Sequence, residues 1–225
     1  MMGAELYVAA GFLSGYESFH RSLPALRQRG MYAFMPRDES VASLMTAPFD
    51  LRFLGRWTTW VDLVHTGVII GLFVAKETGP GRQYVPYRAR DAVFGTSMSY
   101  GAGVGEEAAF RGWIYPALYQ ATSQNFLVSN AIQASLFGAM HQQSAGAFAI
   151  EIGAWAFYEG WLTRRNGWSV RESIFHHFWY DVAAFAADLL TDDRPQCEGC
   201  VVVRPPLVLT FPPISFRIPP LGASN

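Results

Sequence analysis

Charge is scarce in this chain. Only 16% of its 225 residues are Asp, Glu, Lys or Arg, against roughly 25% in an average soluble protein. Apolar residues fill the difference: 51% of the chain is hydrophobic and 15% aromatic. That balance points to a chain in contact with lipid, although a polar front end and loops hold the mean hydropathy to +0.12. The net charge of −1 offers no basic footprint and argues against a nucleic-acid partner. Cysteine is nearly absent. Cys197 and Cys200 make one C-x-x-C, which is half of a usual zinc ligand set and reads equally as a disulfide or as two separate thiols. Residues 1–15 have no basic leader, and Glu5 interrupts their apolar run, so no signal peptide is read. A Gly-x-Ser-x-Gly elbow is missing, as is any cysteine inside the apolar region, which argues against serine and cysteine acyl-enzyme chemistry.

What is present divides the chain into three parts. Residues 1–56 mix apolar patches with Arg27, Arg29, Arg37, Asp38, Glu39, Arg52 and Arg56, a pattern that predicts short amphipathic helices at a membrane surface. Residues 57–190 hold apolar segments at 57–75, 91–105, 106–121, 126–141, 145–162 and 171–190. These approach the ~20 residues that span a bilayer, and the Gly, Ala and Ser of 91–105 suit close helix contacts. The expected fold is therefore all-α, a multi-span transmembrane helical bundle with a buried polar site. Asp62 and His65, near the start of the first segment, are read at headgroup depth. With the basic loops 76–90 and 163–171 both cytoplasmic, four spans fall between them and the tail lies outside. Residues 191–225 place a Pro-Pro pair every seven residues, at 205, 212 and 219. This predicts an extended tail that packs on its own domain or docks a partner protein.

The chemistry centres on Glu106-Glu107-x-x-x-Arg111. On a helix, Glu107 and Arg111 share a face and pair, whereas Glu106 points elsewhere. Alone, the stretch reads equally as a helix salt bridge or as a site. Further apolar segments add His141, the adjacent His176 and His177, and Asp181 four residues beyond His177. Several costly groups in apolar helices are most simply explained as one site. A carboxylate and two imidazoles can activate water and stabilise an oxyanion. Alternatively they can hold Zn²⁺ through His141, His177, Asp181 and Glu106. Either route is hydrolytic. His176, read as having no partner four residues away, is taken as structural.

Glu106-Glu107-x-x-x-Arg111, Phe137-x-x-x-His141 and His177-x-x-x-Asp181, in that order on successive apolar helices, resemble the CPBP family. These are the CAAX prenyl proteases and bacteriocin-processing (Abi) proteins. The resemblance covers residues ~91–190 and includes the basic turn within Gly160–Ser169. It implies an integral membrane endopeptidase, in a bacterial inner membrane, that cuts a membrane-bound, in some members lipidated, protein or peptide. Glu106 would activate water with His141, His177 and Asp181 would form the oxyanion side, and Arg111 would hold the motif through Glu107. The prenyl proteases usually have Asn where this chain has Asp181. An ionised Asp only accepts hydrogen bonds, which sharpens the metal question; the preferred reading requires no metal, with zinc as the alternative. Two competing readings are a non-proteolytic scaffold or immunity protein on the same frame and a proton-coupled transporter. A scaffold has no need of the full Glu, His, His and Asp set, and repeat symmetry of the transporter kind is not visible.

Overall fold

The computed structural model describes residues 2–77, 89–190, 207–211 and 214–218. Its body is helical: α1 (Met2–Gln28), α2 (Val41–Thr46), α3 (Trp57–Glu77), α4 (Ala89–Ala109), α5 (Tyr115–Ala121), α6 (Phe126–Met140), α7 (Gln142–Ala145), α8 (Ala149–Arg165) and α9 (Arg171–Leu190). The principal contacts pair α1 with α4, α4 with α9, α6 with α8, and α3 with α9. In the tail, β1 (Leu207–Phe211) and β2 (Ile214–Ile218) form an antiparallel ladder from Leu207↔Ile218 to Phe211↔Ile214. These two described segments of the tail are extended, and a two-stranded ladder has only edges. The Pro-Pro pairs, Cys197, Cys200 and most of the 76–90 loop lie outside the described residues.

Two expectations need correction. The front region does not begin with short surface helices; residues 2–28 make one helix packed along α4. The motif helix is also not a crossing of its own. Residues 89–121 run through α4, a π turn (Phe110–Ile114) and α5 without a break, so the count of four spans and the orientation drawn from it fail. Pro116 explains the π turn. It has no N–H to donate to the Gly112 carbonyl in the α-helical pattern. His20 Nε2 from α1 donates to that carbonyl instead, at 3.0 Å. Tyr32 donates to the Pro116 carbonyl at 2.7 Å. The widened turn passes without ending the helix because side chains from the front of the chain hydrogen-bond its carbonyls.

Two apolar clusters flank the motif. Tyr16, Leu44, Ala47, Val104, Ala108, Val170 and Ile174 form one. Ala109, Phe110, Ala134, Phe137, Trp155 and Ala156 form the other. Glu106, Glu107 and Arg111 belong to the helix between them. Close approach depends on glycine: a Cβ at Gly103 would lie 2.9 Å from the Phe178 backbone nitrogen on α9, and one at Gly138 would lie 2.6 Å from the Ala149 carbonyl on α8.

The fold shows no conventional membrane segment: no described helix is long and apolar enough to cross a membrane. On two helices the distribution of polarity is nonetheless inverted. On α3, Thr58, Thr59, Asp62 and Thr66 are buried, while Trp57, Trp60, Val61, Val64, Val68 and Leu72 are exposed. On α6, Ser129, Asn130 and Gln133 are buried, while Leu127, Val128, Ile132 and Leu136 are exposed. Asp62 therefore faces the interior and not headgroups, and Trp155 Nε1 donates to it at 2.8 Å. His65 pairs with Glu151, Nε2 to Oε1 at 2.7 Å.

Two outcomes test this packing. Gly103→Ala forces the α4–α9 backbones apart, an overpacking cost of about 1–3 kcal/mol, read as a lower midpoint of thermal unfolding in detergent. Asp50 anchors the start of α9 through Arg171 at 2.8 Å, and its hydrogen bond from Arg52 holds its carboxyl at about 2. Its folded pKa is depressed, so its contribution is complete above about pH 4, its ordinary range. The stability difference between wild type and Asp50→Asn is expected to hold there and to shrink as the pH falls toward 2.

Candidate active site

The helices bring the predicted residues to one place. Glu107 and Arg111 are fully buried, four apart on one face, with Arg111 Nη1 2.9 Å from Glu107 Oε1. The approach is too oblique for a hydrogen bond, and none of the guanidinium nitrogens has a hydrogen-bond partner. The attraction is therefore Coulombic, supplemented by aromatic faces. The guanidinium carbon lies 4.2 Å from the Phe137 ring centre and 5.7 Å from that of Trp155.

Glu107 does more than pair with Arg111. Its Oε1 also accepts from His177 Nδ1 at 2.9 Å, which fixes the proton on that nitrogen and the orientation of the ring. His177 Nε2 is left pointing toward Asp181, 3.5 Å from Oδ2. Edge-on contacts with Trp155 and Phe137, at 5.3 and 5.8 Å, confine the ring further. The Glu107–His177 link spans 70 residues of sequence, and no local spacing announces it.

Glu106 is nearly buried, 6% exposed. Its Oε2 lies 3.6 Å from His141 Nε2, beyond direct hydrogen-bond distance. His141 sits where α6 ends, with Nδ1 2.8 Å from the Phe137 carbonyl. That contact aims Nε2 at Glu106 and explains why Phe137 and His141 belong to one turn. A small cavity of about 50 Å³ is lined by Phe137, His141, Glu151, Ile152, Trp155, His177, Tyr180 and Asp181. Each residue predicted to do chemistry either lines this cavity or, in the case of Glu106, lies beside His141 at its wall.

Sequence reasoning missed three lining groups with chemical character. Glu151 is one of these, and it is paired to His65. Trp155 and Tyr180 look like ordinary apolar filling in the sequence, yet their rings stack at 5.8 Å along the wall. His176 has a local partner that spacing does reveal, Glu172 four residues before it, 4.0 Å away. Its closer partners are Glu159 and Thr59, each at 3.0 Å. It belongs to a separate buried cluster, as its structural reading requires.

The arrangement separates the two glutamates by environment. Removing the charge in Glu107→Gln leaves Arg111 buried without a counter-ion, a loss of about 3–5 kcal/mol. Glu106→Gln removes no such partner, and its unfolding midpoint is expected to stay near that of wild type. Thermal unfolding of both variants in detergent checks this. Equal losses in the two would overturn the division of roles.

Residues 88–183 match the model of a family described as Rce1-like, type II CAAX prenyl endopeptidase Rce1-like. No curated protein and no solved structure matches the chain. Every motif residue, from Glu106 to Asp181, lies inside the matched stretch, and the match supports an endopeptidase in general. With its glutamates, histidines and arginine gathered as described, the stretch 88–183 is similar to the Rce1-like family, in agreement with the CPBP resemblance of the motifs.

Proposed function

We propose that the protein is an intramembrane endopeptidase that hydrolyses a peptide bond in a membrane-bound, in some cases lipidated, protein or peptide. The observation that carries the reading is the pairing of a nearly buried carboxylate, Glu106, with His141 across 3.6 Å at the wall of a cavity that also holds His177 and Asp181. A water between Glu106 and His141 loses its proton to the carboxylate and attacks the scissile carbonyl. His177, anchored through Nδ1 by Glu107, presents Nε2 to the developing oxyanion. Asp181 orients that ring and balances its charge. The proton held by Glu106 then passes to the leaving nitrogen. No step in this sequence requires a metal. The alternative, an ion held by Glu106, His141, His177 and Asp181, uses the same residues.

The inverted helices support a lipid setting. Apolar stripes on α3 and α6 face outward and polar groups face inward, which suits a protein whose surroundings are hydrocarbon and whose interior carries the chemistry. No described helix is long and apolar enough to be a simple span, so the lipid setting is read from which faces are exposed.

The test is cleavage of a panel of membrane peptides by the purified protein in detergent. Glu106→Gln and His141→Ala are each expected to lower the rate by about 10²–10⁴-fold, the usual contribution of a general base. Cleavage that survives both changes would falsify the site. Failure of the wild type to cut any peptide, with specific binding to a membrane protein intact, would identify a scaffold instead. Asp181→Asn is expected to keep activity, because Asn both accepts from His177 and donates to an oxyanion. A loss as deep as that of Glu106→Gln would show that the negative charge at 181 is required.

A further inference from the structure

A second polar cluster is buried apart from the residues assigned to catalysis. Asp62 on α3, Glu159 on α8 and His176 on α9 are 2%, 0% and 1% exposed. One ligand atom from each lies within 4.8 Å of the other two, and among the described residues no other group of His, Cys, Asp and Glu is gathered so closely. The motif residues Glu106, His141, His177 and Asp181 do not form such a group.

The internal bonding of the cluster is incomplete. Glu159 Oε1 holds His176 Nδ1 at 3.0 Å, but its other oxygen, Oε2, is buried and has no hydrogen-bond partner. His176 Nε2 meets Thr59 Oγ1 at 3.0 Å. Asp62 Oδ1 accepts the Trp155 indole N–H at 2.8 Å. Glu172 is also near His176, at 4.0 Å, but Arg56, Thr58 and Asn166 engage its carboxylate. Arg56 is therefore committed to Glu172. Two ionised carboxylates and one imidazole leave this pocket negative even with both ring nitrogens protonated. An unpartnered carboxylate oxygen in such a place costs several kcal/mol. A divalent cation with two carboxylates and a neutral imidazole sums to zero charge and engages the unpartnered oxygen. Two oxygens and one nitrogen suit zinc or manganese.

We propose that Asp62, Glu159 and His176 hold one divalent transition-metal ion, of the zinc or manganese kind, as a structural site that clamps α3, α8 and α9 together. Binding replaces one of the two hydrogen bonds of His176 with a bond to the ion. Because the cluster is closed to solvent, the ion enters as the helices assemble and leaves only when they part. The site is separate from the hydrolytic one and does not depend on how that one works. Trp155 joins the two: its indole N–H is held by Asp62 and its ring faces His177.

The experiment is elemental analysis of protein grown with zinc sulfate or manganese chloride, purified in detergent and washed with a chelator. Roughly one ion per chain, as for a closed structural site, is expected in the wild type and in a Glu106→Gln, His141→Ala double variant. Glu159→Gln and His176→Gln are expected to lose it, and the wild type grown without added metal is expected to unfold at lower temperature. Should these single variants fail to fold, X-ray absorption at the metal edge of wild type and the double variant decides the question: one imidazole among oxygen ligands supports the site. No retained ion in the wild type, an ion that disappears in the double variant, or a spectrum with two imidazoles would each overturn the proposal.

Discussion

The buried pair of Glu107 and Arg111 is the constraint on which the site depends. Both side chains are withdrawn from solvent, and neither charge is tolerable alone in that setting. From this pair the contacts run outward to every helix that carries a motif residue. Glu107 binds His177 on α9, and Arg111 lies over Phe137 on α6 and near Trp155 on α8. Phe137 in turn offers its carbonyl to His141. A charge that has to be neutralised thus places both histidines without requiring them to meet each other. Glu106, one residue away and a third of a turn round the helix, lies beside His141 instead.

The same economy of charge shapes the whole body. Polar groups are collected inward: Ser129, Asn130 and Gln133 on α6, Asp62 and two threonines on α3, Glu159 on α8. On α3 and α6, large apolar side chains remain outside. Holding these helices together falls to more than apolar burial. Close backbone approach at Gly103 and Gly138 and interhelical hydrogen bonds, such as Gln133 to the Ala156 carbonyl at 3.0 Å, do that work. The π turn at Phe110–Ile114 fits this scheme: His20 and Tyr32 from the front of the chain engage carbonyls in and just after it.

Some features were legible because they are local. Residues four apart on a helix must share a face, so Glu107 with Arg111 and His177 with Asp181 could be read directly. Other features failed for want of the third dimension. Nothing in 91–121 marks one continuous helix, because the uncharged small-residue stretch 91–105 and the charged motif after it read as two segments until α4, the π turn and α5 are seen to run on. Asp62 looked like a headgroup-level charge because its partner, Trp155, is 93 residues away. Glu159 and His176 look like two unrelated polar residues until α8 and α9 are set side by side.

The sequence by itself determined the helical class, the order of the motifs and the candidates for acid–base chemistry, because periodicity and the cost of charge in apolar segments are properties of a few neighbouring residues. Only the tertiary structure decided how those candidates are shared. It gave Glu107 two partners, set Glu106 against His141, and drew His176 away into a cluster with Asp62 and Glu159. Such assignments depend on which helices touch and at what rotation, and that is settled by packing between residues far apart in the chain.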